Sequence, residues 1–242
     1  MLEQRIKELC IKNKFYFGSK KICFLYNLKY KTNLNYQIIY RIMKKNNWLC
    51  ILKPKKQKHP ILSRFQLVPN IINKRNKNYY SLKPKTKLFT DITQFKTKDG
   101  ILYLSLILDS FNRKVISFNF SKHSNSKLVY DTFDQIKTKS SNCLIHFDQG
   151  NIYRSIKFQK YLLNQNYILS MSHLAEPNDN AMIESFFGLM KSIIFQENPN
   201  LESLSFNLLK TKINDFIFYY NNNWIYQKLN YRNPNSYCQL TK

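Results

Sequence analysis

Three acidic residues in the C-terminal part of this sequence occupy positions where predicted strands and helices would place metal ligands. Asp91 lies within a predicted strand, in Thr-Asp-Ile-Thr at 90–93, and Asp148 directly follows another, in His-Phe-Asp-Gln-Gly at 146–150. Glu184 lies on a predicted helix. Strand ends of mixed sheets usually hold ligands, and carboxylates converging from two strands and a helix suit Mg²⁺ or Mn²⁺. Because two such ions, about 3.5–4 Å apart, activate an attacking oxygen and stabilise the leaving one, these residues predict phosphoryl transfer.

One histidine lies beside this set. His146 precedes Asp148 by two residues and therefore shares its strand face. A hydrogen-bonded core histidine is more typical of such a position than a metal ligand, so we interpret His146 as part of the core.

The elements that must position these residues form an α/β domain. Asp99-Gly100 is a typical hairpin turn, and Asn112-Arg113 turns the chain into a third strand. The strands are predicted at 88–95, 101–108, 115–120, 143–147 and 167–170, and the helices at about 125–138, near 155–164 and, as two long helices, from about 179 onward. Three antiparallel strands followed by alternating helices and strands favour a mixed five-stranded sheet flanked by helices.

The N-terminal part is predicted to be a small all-α module. Residues 2–12 are predicted to be helical, and Ser19 is expected to cap a second helix that runs to about Tyr26. Asn35 is expected to cap a third. The apolar residues of that helix recur on one face: Ile38, Ile39, Ile42 and Met43. Three short helices resemble a helix-turn-helix, although that pattern alone is weak.

Positive charge is concentrated at the N-terminal end. The 242 residues contain 39 Lys and Arg against 14 acidic residues; residues 1–90 hold 22 against 2, and residues 91–242 hold 17 against 12. Such a segment binds a polyanion by counterion release. A solubilising tail or a contact with an acidic membrane surface would also be basic, but aromatic residues alternate with the lysines, which favours a folded nucleic-acid-binding module. Residues 53–87 contain four prolines among many lysines, which predicts a basic linker.

Several classes of protein are excluded. Five scattered cysteines without a CxxC pair argue against a disulfide framework and an ordinary zinc finger, and they fit a reducing compartment. Charged residues in the first turns are untypical of a signal peptide. No stretch approaches the ~20 apolar residues that span a bilayer. We therefore expect a cytoplasmic protein without a membrane partner.

The sequences around the acidic residues closely resemble the retroviral-integrase catalytic core of DDE transposases from bacterial insertion elements. The resemblance is to the OrfB half of the large family whose transposase is assembled as an OrfA–OrfB frameshift fusion. Segments in the order and spacing of that family are 90–93, Tyr103–Asp109 followed by Asn112-Arg113, His146–Gly150, Asp179–Lys191, and Tyr220-Asn221 through Leu229 and Tyr231 to Pro234. The basic N-terminal segment resembles the family's helix-turn-helix at Phe17-Gly18, Lys21-Ile22 and Arg41–Met43.

The resemblance implies a fold and a chemistry. The catalytic core is expected to be RNase H-like over 88–242, preceded by a helix-turn-helix-like module at 1–52 and the basic linker. Asp91, Asp148 and Glu184 would be both catalytic and metal-binding, with two Mg²⁺ ions for which Mn²⁺ can substitute. The expected reaction is DNA strand cleavage, followed by attack of a DNA 3′-hydroxyl on a phosphodiester without a covalent protein–DNA intermediate.

The resemblance also implies DNA contacts. Lys191 lies seven residues after Glu184, about two helical turns, so both share one face. It matches the family's basic residue after the glutamate, with a phosphate contact as the expected role. Asn180 would contact DNA or position the glutamate, unless it belongs to a helix start capped by Asp179 or Asn178. The remaining expected contacts are Lys20, Lys21, Arg41, Lys44 and Lys45.

The expected partners are DNA, at the element ends and the target, and an OrfA-type protein or fusion segment that recognises the terminal inverted repeats. A homo-oligomer in a synaptic complex is also expected. Two alternatives stay open: a non-catalytic DNA-binding relic or regulator of transposition from the same family, and a nuclease of the same fold that degrades DNA without rejoining ends.

Overall fold

A mixed five-stranded sheet lies at the centre of the C-terminal part of the chain. The computed structural model describes residues 1–50, 68–72, 79–173 and 177–239. The strands are β1 (Lys87–Thr97), β2 (Gly100–Asp109), β3 (Val115–Ser121), β4 (Leu144–Phe147) and β5 (Ile168–Met171). Their order is β3-β2-β1-β4-β5. Neighbours among β1, β2 and β3 are antiparallel, whereas β4 runs parallel to β1 and β5. The predicted mixed sheet is confirmed.

The β1–β2 hairpin turns through Lys98 and Asp99. Thr97 pairs with Gly100 across this turn, so Gly100 opens β2 and is not the second turn residue that the sequence suggested. The φ of Gly100 is 111°, a conformation that glycine adopts without steric cost. The Asp99 carboxylate accepts a hydrogen bond from the backbone N–H of Phe206 at 2.8 Å, which ties the hairpin to a C-terminal helix.

Helices cover both faces of the sheet. They are α4 (Ser126–Asp134), α5 (Asn151–Arg154), α6 (Ile156–Asn164), α7 (Ala181–Glu197), α8 (Phe206–Asn222) and α9 (Pro234–Gln239). The helix predicted at 125–138 ends earlier, at Asp134. The helix predicted near 155–164 is preceded by the separate short α5, because the backbone of Ser155 is extended between them.

Alternation along the strands sends apolar side chains into two cores. Phe89 and Leu106 are fully buried in the core that contains α7 and α8. Their neighbours Leu88 and Ile107 point to the opposite face and pack in the core that contains α4 and α6. A sheet buried on both faces has the near-continuous apolar pattern seen in β2.

Three helices form the N-terminal part: α1 (Leu2–Lys12), α2 (Ser19–Tyr30) and α3 (Tyr36–Lys45). Asn35 caps α3 as predicted, because its side chain accepts a hydrogen bond from the N–H of Gln37 at 2.9 Å. The predicted cap at Ser19 is wrong: the carbonyl of Gly18 already accepts the first helical bonds, so Ser19 is the first helical residue and makes no cap bond. The predicted apolar face of α3 is narrower than expected, since Ile38 is 39% exposed.

The N-terminal helices share a core with the C-terminal helices. The ring of Phe17 meets that of Trp224 edge to face at 5.1 Å, and Phe24 stacks on Tyr231 at 4.2 Å. Aromatic pairs of this geometry contribute about 0.5–1.5 kcal/mol each beyond their burial. The N-terminal part is therefore packed against the C-terminal part over an apolar interface.

The predicted linker is described only in part. Residues 53–67 and 73–78 lie outside the described residues. Within the described part, Ile72 and Tyr79 are buried in the same core as α7. The domain boundaries at 52 and 87 stay a prediction. In the part of the chain that the structure describes, no helix is both long and apolar enough to cross a membrane.

Candidate active site and nucleic-acid interface

The sheet register brings two of the predicted ligands together. Phe89 of β1 pairs with His146 of the parallel strand β4. Asp91 and Asp148 each follow that pair by two residues, so both lie at the same level of adjacent strands and on the same face. One oxygen of Asp91 accepts a hydrogen bond from the Ile92 N–H at 2.7 Å, and one oxygen of Asp148 accepts from Gly150 at 2.9 Å.

Both aspartates line one cleft of about 500 Å³. Gly150 and Tyr153 form another wall, and Lys191 reaches the cleft from α7. The cleft thus places two carboxylates and one ammonium group around a volume open to a ligand.

Glu184, unlike the two aspartates, lies outside the cleft lining. It lies in the first turn of α7 with an exposed side chain, and it is not among the residues that line the cleft. Its charge nevertheless acts on Asp91: burial, the negative charge of Asp148 and that of Glu184 together raise the pKa of Asp91 well above its usual value. Among the described residues, no three His, Cys, Asp or Glu side chains converge closely enough to hold a metal ion. The structure therefore brings Asp91 and Asp148 together and leaves Glu184 close by.

Lys191 lines the cleft from α7, and its predicted phosphate contact stays a prediction. Burial lowers the pKa of its ammonium group, and the charge of Asp91 acts in the opposite direction. The ammonium nitrogen also lies 5.4 Å from the centre of the Phe95 ring. Lys191 is thus held beside the aspartates, where it can meet a phosphate oxygen.

Asn180 stands at the start of α7 but makes no capping hydrogen bond. It is 3% exposed, and its side-chain oxygen has no hydrogen-bond partner among the described residues. Asp179 does not cap the helix either, because its carboxylate accepts hydrogen bonds from the Asn70 side chain and the His173 N–H. At this burial, a DNA contact by Asn180 requires movement of the helix start, and the predicted contact stays a prediction.

Two residues of the cleft were missed from the sequence. A Cβ atom at Gly150 would lie 3.0 Å from an oxygen of Asp148 and 3.3 Å from a ring carbon of Tyr153. The Tyr153 ring stacks on Phe147 at 5.4 Å, and burial together with the charges of Asp91 and Asp148 raises the pKa of its hydroxyl. The glycine two residues after Asp148 was the available signal, since a close approach is a common reason for glycine in a loop.

His146 is a core residue, as interpreted from the sequence. It is fully buried, and its two ring nitrogens lie 2.9 Å and 3.0 Å from the hydroxyls of Ser170 and Ser172. Burial lowers the pKa of His146 to about 4, so the ring is neutral at pH 7.

Four of the five predicted DNA-binding cations on the N-terminal helices are exposed: Lys20, Arg41, Lys44 and Lys45. Lys45 pairs with Glu3 at 3.4 Å, a surface ion pair that contributes little to stability.

Lys21, unlike the four exposed cations, packs against aromatic rings. Its ammonium nitrogen lies 3.9 Å from the centre of the Trp224 ring, 4.7 Å from Phe17 and 5.4 Å from Tyr226. Burial lowers the pKa of Lys21 to about 7. Lys21 therefore packs between the N-terminal and C-terminal helices, where it does not join the exposed cations, and its DNA contact stays untested.

Two parts of the chain match known protein families. Residues 81–177 match the family described as integrase core domain, and residues 1–56 match the family described as HTH-like domain. A chain of the simian T-cell lymphotropic virus intasome, solved by cryo-electron microscopy in complex with PP2A regulatory subunit B56 gamma, has the same fold. It superimposes with a TM-score of 0.51 and 18% sequence identity over 90% of this chain and 69% of its own.

Curated relatives match this chain at higher sequence identity, between 28% and 31%. The InsK protein of insertion sequence element IS150 from Escherichia coli is 28% identical over 243 residues, which is 99% of this chain and 83% of the relative. A transposase-like protein from Haemophilus influenzae is 30% identical over 88% of this chain and 96% of its own length. The transposase for insertion sequence element IS904 from Lactococcus lactis is 31% identical over 70% of this chain and 66% of its own length.

Proposed function

Because this chain belongs to the family of insertion-sequence transposases that carry an integrase core domain, we propose that it cuts and joins DNA strands at the ends of its own element. The single observation that carries this proposal is that Asp91 on β1 and Asp148, directly after the parallel neighbour β4, line one cleft together with Lys191. Two carboxylates and a cation around an open cleft suit a phosphodiester and divalent metal ions.

The donor set fits Mg²⁺ or Mn²⁺. Carboxylate oxygens are the ligands that these hard cations prefer. Asp91 and Asp148 would hold the ions, and Glu184 would complete the site from α7. When bound, a pair of Mg²⁺ ions would activate an attacking oxygen and stabilise the leaving one.

The other roles fall to residues around the cleft. Lys191 would bind a non-bridging phosphate oxygen of the element end and hold the strand against the aspartates. Gly150 keeps the loop after β4 close enough for its N–H to orient the Asp148 carboxylate. The attacking group would be a DNA 3′-hydroxyl, so no side chain of this protein would become bonded to DNA.

A strand-transfer assay tests this function. The purified protein, an oligonucleotide that copies the element end found beside its gene and a plasmid target are incubated with Mg²⁺ or Mn²⁺. Wild type is expected to join the ends, whereas Asp148→Asn and Glu184→Gln abolish joining and leave DNA binding nearly intact. The matched controls are Asp215→Asn and Glu202→Gln, which remove the same charges from exposed positions outside the cleft. Joining by Glu184→Gln would refute the triad; degradation without joining would identify a nuclease of the same fold.

The assembly is part of the same proposal. The chain would act as a cytoplasmic homo-oligomer in a synaptic complex with both element ends and the target. An OrfA-type protein, or an OrfA segment fused by frameshifting, would recognise the terminal repeats. If wild type joins nothing alone, the reconstructed fusion is tested next, because joining by the fusion identifies a missing partner.

A second candidate is a non-catalytic DNA-binding relic or regulator of transposition. The position of Glu184 outside the cleft lining favours it. Failure of both the chain and the fusion to join ends, with DNA binding retained, would select this alternative.

A further inference from the structure

A cluster of positive charge from the C-terminal part of the chain surrounds Tyr80. The Tyr80 hydroxyl accepts a hydrogen bond from the Arg113 guanidinium at 3.2 Å and another from the Lys228 ammonium group at 2.9 Å. Lys87 donates to the backbone carbonyl of the same tyrosine at 3.4 Å. Although burial alone would raise it, the hydrogen bond from Lys228 and the charge of Arg113 lower the pKa of Tyr80. The phenolic oxygen thus lies in a strongly positive field.

Arg113 is held in place before any ligand arrives. It occupies the turn between β2 and β3 with a φ of 61°, and its carbonyl accepts a hydrogen bond from the Tyr220 hydroxyl at 2.9 Å. Its guanidinium carbon lies 4.9 Å from the centre of the Tyr226 ring and 5.9 Å from that of Tyr80. Because backbone and side chain are both fixed, little conformational entropy remains to be lost on binding.

The two cations that donate to the Tyr80 hydroxyl lack an acidic partner in the described part of the chain. Among the described residues, no carboxylate forms an ion pair with Arg113 or Lys228. The nearby Asp109 accepts hydrogen bonds from the backbone N–H groups of Lys85 and Phe111. A half-buried guanidinium normally finds an anion, since its planar donors match carboxylate or phosphate oxygens.

The cluster is connected to the candidate active site through Tyr79. The hydroxyl of Tyr79 accepts a hydrogen bond from the N–H of Met182 in the first turn of α7. Burial is the main cause that raises the pKa of Tyr79, and the charges of Arg113 and Glu184 both act on it as well. Arg113 and Glu184 therefore lie within electrostatic range of one side chain.

We propose that Tyr80, Arg113 and Lys228 form a binding site for a phosphodiester of the DNA backbone, distinct from the cations of the N-terminal helices. The phosphate oxygens would accept from the remaining donors of Arg113 and from Lys228, and the Tyr80 hydroxyl would turn its proton toward the same oxygens. The inference rests on the proposed function only in that the ligand is DNA. The site would hold the strand that approaches Glu184.

Salt-dependent DNA binding tests this site without catalysis. The probe is a fluorescent duplex of arbitrary sequence, titrated with the full chain in the absence of divalent metal at a series of salt concentrations. Each phosphate contact contributes about 0.9 to the slope of log affinity against log salt. Lys228→Gln is expected to reduce the slope by about this amount. The matched control Lys160→Gln removes an exposed lysine from α6, on the opposite face of the sheet, and is expected to leave the slope unchanged.

Arg113 supplies the second arm. Arg113→Lys keeps the charge and is expected to retain the salt slope while losing affinity, whereas Arg113→Gln is expected to lose both. Thermal unfolding of each variant shows whether it folds. If Arg113→Gln does not fold, Lys228→Gln decides the question. Equal slopes for Lys228→Gln and Lys160→Gln overturn the site and leave the proposed function standing. A wild-type chain that binds no DNA would overturn both.

Discussion

Replacing Gly150 with alanine is expected to impair DNA joining without unfolding the protein. Gly150 opens α5 with φ −58° and ψ 146°, a conformation that alanine adopts without strain. The new methyl group would lie 3.0 Å from an oxygen of Asp148, whereas ordinary contacts begin at 3.4 Å. The Asp148 carboxylate must therefore move by about 0.4 Å, which is the difference between these two distances.

The size of the effect follows from this displacement. Misplacing a reacting group by 1 Å costs about 100-fold in rate, so a shift of 0.4 Å corresponds to a loss of about fivefold to tenfold. Stability should change by less than about 1 kcal/mol. Restricting the unfolded chain stabilises by about 0.4–1 kcal/mol, and loss of a glycine from an N-cap position acts in the opposite direction.

Gly18→Ala is the matched control. Gly18 also precedes the first turn of a helix, with φ −72°, but a Cβ atom there meets nothing within 4 Å. Both variants thus undergo the same backbone and capping changes, and only Gly150→Ala disturbs an aspartate. The assay is the initial rate of strand transfer at saturating Mg²⁺, with thermal unfolding measured in parallel. Wild-type joining by Gly150→Ala, or an equal loss in Gly18→Ala, would refute the reasoning.

Three further changes have expected outcomes. Asn35→Ala removes the α3 cap and should lower the free energy of unfolding by about 1 kcal/mol, whereas Ser19→Ala should lower it less because Ser19 makes no cap bond; chemical denaturation compares them. The pKa of His146 falls from 6.5 to about 4 on folding, so the unfolded chain binds more protons between these values and stability should fall as pH drops from 6.5 to 4; His146→Gln should flatten that part of the stability profile. The pKa of Lys21 falls from 10.5 to about 7, so stability should rise with pH between 7 and 10.5, and a rise of equal slope in Lys21→Met would contradict this assignment.

The sheet was predictable because its signals are local. Each strand carries an apolar pattern with turn residues beside it, and all five predicted strands overlap the observed ones. The predicted helix boundaries were wrong where the conformation of a neighbouring residue determines where the helix begins. Ser19 has the residue type of a cap, but the preceding Gly18 supplies the capping position. The helix predicted near 155–164 begins one residue later, at Ile156, because Ser155 has an extended backbone that separates α5 from α6.

The candidate site was predictable only in part, because its geometry depends on contacts between distant segments. Asp91 and Asp148 were expected to converge because one lies on a predicted strand and the other directly after one, and β1 and β4 are parallel neighbours. The surroundings of Lys21 could not be predicted, because Trp224 and Tyr226 are distant in sequence and contact Lys21 only through tertiary packing. The helix-turn-helix pattern therefore predicted a DNA contact for Lys21, which stays a prediction, and did not predict its aromatic neighbours.

Glu184 is positioned by the start of α7 and not by the sheet that carries the two aspartates. The start of α7 is fixed by two contacts from the segment before the sheet: Asn70 donates to Asp179 at 2.7 Å, and the Tyr79 hydroxyl accepts from the N–H of Met182. Met182 precedes Glu184 by two residues, so these contacts lie next to the glutamate. The aspartates are positioned by sheet pairing, whereas the glutamate is carried by the first turn of α7, whose residues Met182 and Ile183 are buried in the core. Under the proposed function, Glu184 would therefore complete the metal site from α7 without a change in the sheet.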